Sequence, residues 1–137
     1  MEEAGTSVDN IEICIDVPDL ASGVRFYEEA FGFAKISEPF RGVAVLKAGP
    51  ASITLLEKRE GTKPSPHTSD LRRYNRHWTA VHLDFHVSDL NAALQKAIAA
   101  GATKEQVFEN KEHGSIAFCA DPFGNGFCLL ERAGQRY

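Results

Sequence analysis

The sequence predicts an α+β fold made of two tandem βαβββ modules. Three observations predict it. The chain repeats itself at an offset of 70, so that Ile11–Leu20 lies over Val81–Leu90. Both copies alternate strictly: Ile11, Ile13, Ile15 and Val17 are answered by Val81, Leu83, Phe85 and Val87. Between them stand Glu12, Cys14 and Asp16 in one copy and His82, Asp84 and His86 in the other. Period-two alternation marks a strand with one apolar face, and here the opposite face is chemically rich. Finally, an amphipathic stripe follows each strand and stops at a glycine, so a strand–helix unit occurs twice.

The first strand runs from Ile11 to Val17, and Asp19 is placed to cap the helix that follows. That helix presents Leu20, Val24, Tyr27 and Phe31 on one stripe and ends at Gly32. Strands are then predicted near 34–39, 42–48 and 52–58, broken at Pro39–Gly42 and Ala48–Ala51. The second module repeats the order. Val81–Val87 is a strand, Asp89 a cap, and Leu90, Leu94, Ala97 and Ile98 form the stripe of a helix ending at Gly101. Its remaining strands fall near 105–110, 115–120 and 127–132, the last two joined by the turn residues Asp121–Gly126. Module one thus spans about 9–58 and module two about 78–132, within one domain covering 1–137.

Between the modules, Lys58–His77 holds six Lys or Arg against two Asp or Glu, with Pro64, Pro66 and no apolar periodicity. It reads as a long loop with a solvated basic surface, or as a lid over an anionic substrate. His67, His77 and His113 have no spacing that argues for chemistry, and Trp78 is expected to pack.

Composition bounds the function. With 43% hydrophobic and 25% charged residues the chain is of ordinary globular type. No run of about 18 apolar residues is present, so no membrane helix is expected. Fifteen basic against nineteen acidic residues, a net charge of -4, disfavour a nucleic-acid partner. The start, Met1–Ser7, is acidic and polar, unlike a secretory signal, which points to the cytoplasm. Cys14, Cys119 and Cys128 form neither an even disulfide framework nor a CxxC pair, and are expected as three buried thiols in a reducing compartment.

Two motifs carry a family resemblance. One is Val17-Pro18-Asp19-Leu20 followed by Phe26-Tyr27 and Phe31-Gly32-Phe33; the other is Asp121-Pro122-Phe123-Gly124-Asn125 before the final strand. With the duplication, they resemble the vicinal oxygen chelate superfamily, which comprises the glyoxalases, bleomycin resistance proteins and extradiol dioxygenases. The resemblance spans about residues 9–132. It implies that each module curls into a half-barrel with its helix outside, and that the halves form a cupped cavity.

It also implies a site. Metal ligands in the family come from the first and last strands of each module, which here correspond to Glu12, His82, Thr54 and Cys128. Threonine is a poor ligand, so the resemblance leaves Glu12, His82 and Cys128 as the metal set for one divalent ion (Zn, Fe, Mn or Ni). Asp16 and Asp84 are the candidate catalytic carboxylates, and Cys14, Thr54 and His86 line the cavity. Glu57 and Glu131 lie three residues past the ligand positions, an odd step that turns them out of the cup.

Two functions are compatible with this pattern. The first is a metal-dependent lyase, isomerase or dioxygenase acting on a small oxygen-chelating substrate. The second is a metal-free protein that sequesters an antibiotic or metabolite, with Glu12 and His82 as an acid–histidine pair. A homodimer is implied by the family; no nucleic acid or membrane partner is expected.

Overall fold

The structure is a computed structural model that describes residues 7–133. The residues before Ser7, which carry most of the cytoplasmic argument, lie outside this range. The element order is β1 (Ile13–Val17), α1 (Leu20–Phe31), β2 (Ala34–Phe40), β3 (Val43–Ala48) and β4 (Ala51–Glu57), then β5 (Leu83–His86), α2 (Leu90–Ala100), β6 (Thr103–Phe108), β7 (Ser115–Ala120) and β8 (Gly126–Glu131). They form two four-stranded mixed sheets, ordered β1-β4-β3-β2 and β5-β8-β7-β6. In each, the first strand pairs parallel with the last and the rest are antiparallel. The two-module α+β fold is therefore as the sequence predicts.

Helix starts are set by two carboxylates each. Asp19 Oδ2 accepts from Ser22 N at 2.9 Å, and Asp89 Oδ1 accepts from Ala92 N at 3.0 Å. In addition Glu57 Oε2 accepts from Leu20 N at 2.8 Å, and Glu131 Oε1 from Leu90 N at 2.6 Å. The last strand of each module thus ties down its own helix, and both glutamates face the helix layer as strand parity requires. Gly32, at φ 71, closes α1 with its N–H donated to Glu28 O at 2.9 Å.

The core lies between helices and sheets. Phe26, Tyr27 and Ala30 of α1 and Leu90, Leu94 and Ala97 of α2 are buried against Leu46, Ile53, Leu55, Ala117 and Leu129. Phe31 reaches across the module boundary, 4.6 Å from Phe85 and 5.3 Å from Phe127 between ring centroids. A second tie is the buried Asp121 carboxylate. It accepts from the Phe123 and Asn125 backbone N–H groups and from Asn125 Nδ2, and from Tyr27 Oη at 2.6 Å. The two motifs that carry the family resemblance are thereby one hydrogen-bonded unit.

Several expectations are corrected. Ile11 and Val81 are not core: they lie outside the strands and are 77% and 81% exposed. Pairing explains this, because the β5–β8 register would set Val81 opposite Asn125, which the Asp121 turn holds. Cys119 and Cys128 are buried, but Cys14 is exposed on the outermost strand of its sheet. Trp78 does not pack and stands 83% exposed. Ile98 sits at the edge of its stripe, 38% exposed.

The 58–82 segment contains no helix or strand, yet it is held at both ends and in the middle. Arg72 exchanges backbone bonds with Gly61 and Thr62, and its side chain reaches Lys63 O and Asp16. Tyr74 Oη donates to Lys58 O at 2.6 Å, Arg76 pairs with Glu105 of β6, and His77 N donates to Gly124 O at 3.1 Å. It forms a strap from module one to module two. Gly124 (φ 91) permits this contact, since a Cβ there would meet Asn75 O at 2.1 Å.

Candidate metal centre

The site is a pair of matching rows. Directly opposite residues on neighbouring strands share a face. Cys14, Thr54 and Val45 form one row across β1, β4 and β3; Asp84, Cys128 and Phe118 form its counterpart across β5, β8 and β7. Glu12 and His82 lie one same-face step before Cys14 and Asp84.

In module two the row closes into a candidate cation site. The ligand atoms of His82, Asp84 and Cys128 all lie within 4.8 Å of one another. His82 Nε2 is 3.1 Å from Asp84 Oδ1, and the Cys128 thiol bonds to the same carboxylate. Burial, then the Asp84 charge and hydrogen bond, push the Cys128 thiol up to about 11, so it is protonated at neutral pH without a cation. A bound cation displaces that proton, as coordination does for thiols generally. Imidazole, carboxylate and thiol together fit a divalent ion of borderline softness.

In module one the row is occupied internally. Thr54, 3% exposed, donates its Oγ1 hydrogen to Glu12 Oε1 at 2.5 Å, and Cys14 Sγ lies 4.0 Å from the same oxygen. Burial first, then the charges of Glu12 and Asp16, raise the Cys14 thiol above its ordinary value. Glu12 is not part of the group formed by His82, Asp84 and Cys128. Asp16 is held by Arg72 Nε at 2.8 Å with the arginine mostly buried. His86 lies further along the His82–Asp84 face, opposite Leu130. Of the eight site residues read from sequence, the fold therefore gathers His82, Asp84 and Cys128 in one module and Glu12, Cys14 and Thr54 in the other. Sequence reasoning missed the Arg72 contact to Asp16; the basic run containing Arg72 was its only signal.

A glyoxalase-like domain model matches residues 12–130. The chain belongs to the glyoxalase-like domain family. Solved structures share the fold of this glyoxalase-like protein. FosX, a fosfomycin resistance protein from Mesorhizobium loti, superposes with a TM-score of 0.68 at 12% identity, covering 93% of this chain and 96% of that one. A FosX variant from Listeria monocytogenes, complexed with Mn(II) and a dihydroxypropylphosphonic acid, gives 0.68 at 16% identity, covering 94% and 93%. Lactoylglutathione lyase from Agrobacterium tumefaciens gives 0.62 at 17% identity, covering 91% and 95%. No curated protein matches the sequence. Among the described residues, no helix is long and apolar enough to cross a membrane.

Proposed function

We propose that this glyoxalase-like protein is a divalent-metal-dependent enzyme acting on a small substrate with two neighbouring oxygens. The observation that carries the reading is the convergence of His82, Asp84 and Cys128 within 4.8 Å. His82 and Cys128 are the ligands this chain's module two supplies, and Glu12 from a second copy completes the set. Both sheet faces that bear the rows are open and apolar at their rims: Phe40 is 73%, Phe108 51% and Phe118 38% exposed. Exposed aromatic surface of this kind favours association, and a module of another copy is its natural cover.

The donor set points to zinc before manganese, because a thiolate is a soft ligand and manganese prefers oxygen. When bound, the cation supplies Lewis acidity that stabilises the oxyanion developing on a chelated substrate. Asp84, touching both His82 and Cys128, is the carboxylate placed to take the proton. Asp16 orients the Arg72 strap instead of the proton. Cys14, Cys119 and Cys128 are all free thiols, which suits the reducing cytoplasm.

Metal analysis of protein purified without chelator tests the reading. About one ion per chain is expected, lost in His82→Ala and Cys128→Ser, with a thiolate–cobalt charge-transfer band after Co(II) exchange of the wild type that is absent from both variants. Metal-free protein that takes up no divalent ion would retire the enzyme reading in favour of a metal-free ligand-binding protein.

A further inference from the structure

We infer that Thr54 is a positioning residue of the metal centre, holding the Glu12 carboxylate by one oxygen so that the other is kept for the cation. The inference rests on the proposed function, in which Glu12 completes the ligand set. Glu12 is exposed and lies one residue before β1. A glutamate so placed ordinarily samples several rotamers, and ordering it on a metal costs conformational entropy. Here the ordering is already done. Thr54, only 3% exposed, donates its Oγ1 hydrogen to Glu12 Oε1 at 2.5 Å. It sits in the middle of β4, paired with Cys14 of β1 on one side and Val45 of β3 on the other, and its branched side chain is stiff. The Cys14 thiol, a weak donor, reaches the same oxygen at 4.0 Å. Glu12 Oε2 has no hydrogen-bond or ion-pair partner among the described residues.

The chemistry of the hydroxyl separates this role from that of a ligand. Cys128 holds the equivalent place in module two, opposite Asp84 as Thr54 is opposite Cys14. Each donates to a carboxylate at the start of its module, Cys128 to Asp84 and Thr54 to Glu12. A thiol loses its proton to a divalent cation and becomes a ligand. A threonine hydroxyl keeps its proton and remains a donor. The Thr54 bond to Glu12 is therefore compatible with a coordinated carboxylate, whereas the Cys128 bond to Asp84 ends when the thiol binds metal. Ligating carboxylates are themselves held by hydrogen bonds, and removing such a support typically weakens metal binding by about 10- to 100-fold.

Zinc affinity tests the role. The full-length protein is stripped with chelator and titrated with Zn(II) in competition with a chromophoric chelator. Thr54→Val keeps the branched shape but removes the donor, and should weaken zinc binding by about ten-fold or more. Thr54→Ser restores the donor and should bind close to wild type. Should Thr54→Val fail to fold, Thr54→Ala carries the same expectation. Ile53→Val trims a buried neighbour on the opposite face of β4, so it lowers stability without touching Glu12 and should bind zinc like wild type. Wild-type affinity in Thr54→Val overturns the inference and leaves the metal-dependent reading standing. So does an equal loss in Thr54→Ser, which would take the hydroxyl out of the account, or in Ile53→Val, which would assign the loss to the fold. Glu12→Gln with undiminished affinity also overturns it, since Thr54 would then have no ligand to position. A wild-type chain that takes up no divalent ion retires the enzyme reading and this role together.

Discussion

Asp121 shows how one side chain can hold a duplicated fold together. It is 4% exposed and accepts four hydrogen bonds, three from its own turn and one from Tyr27 in the other module. Burial first, then the Asp121 charge and hydrogen bond, raise the Tyr27 hydroxyl well above its ordinary value. A raised folded value contributes stability that is fully present below the unfolded value near 10 and is lost as pH climbs towards the folded one. Tyr27→Phe should therefore cost about 1–2 kcal/mol at neutral pH in urea denaturation and flatten the fall in stability above about pH 10. An unchanged alkaline slope would show that Tyr27 is not the group responsible. Thiol labelling gives a second reading at this scale. Cys14 is exposed and should react with a disulfide reagent in the native state, whereas Cys119 and Cys128, buried and pushed up to about 11, should react only on unfolding. The Asp121 turn is visible in sequence because its residues are turn formers in consecutive order. Its bond to Tyr27 is not, because a partner 94 residues away leaves no local periodicity.

Among the elements, strands and helices were the most legible, since burial of one face imposes a period on the sequence. Their limits were less so: alternation continues through Ile11 and Val81, but a strand lasts only as long as its neighbour offers backbone groups to pair with. The strap was least legible, having no period, and its order comes from side chains reaching both modules. Its grip on β6 depends on pH. The Arg76 hydrogen bond, ahead of its charge, lowers Glu105 below the usual carboxylate value. A lowered folded value contributes stability present above the unfolded value near 4.5 and lost as pH falls through the folded one. Proteolysis within 58–82 should therefore be faster in Glu105→Gln than in wild type at neutral pH, and the two rates should converge on acidification. The aromatic bridge is independent of pH. Phe85→Ala, which opens a gap beside Phe31 and Phe127, should destabilise the fold by about 3 kcal/mol in urea denaturation.

At the scale of the whole molecule, the duplication yields two half-sites that are alike in layout and unlike in chemistry. The resemblance marked Glu12, His82 and Cys128 as one set, but a sequence has no means of showing which module faces which. Within the described chain the ligand group is confined to module two, and Glu12 is bonded to Thr54. A site shared between two copies makes a prediction that an internal site does not. Glu12→Gln and Cys128→Ser each spoil both sites of a homodimer. In a mixed dimer of the two variants, the intact Glu12 of one copy meets the intact His82 and Cys128 of the other, while the opposite site carries both lesions. Random re-pairing after co-refolding makes about half the dimers mixed, so about one-quarter of wild-type metal binding should return. A chain carrying both substitutions, mixed with wild type, should give the same sites in a different distribution: only the wild-type homodimers retain intact pairs, because every mixed dimer has one lesion in each site. Recovery in the first mixture would establish that the metal centre spans two copies. If the first mixture stays metal-free while each variant still dimerises by sedimentation, the centre is built within one chain; if Glu12→Gln alone keeps its metal, Glu12 is no part of it.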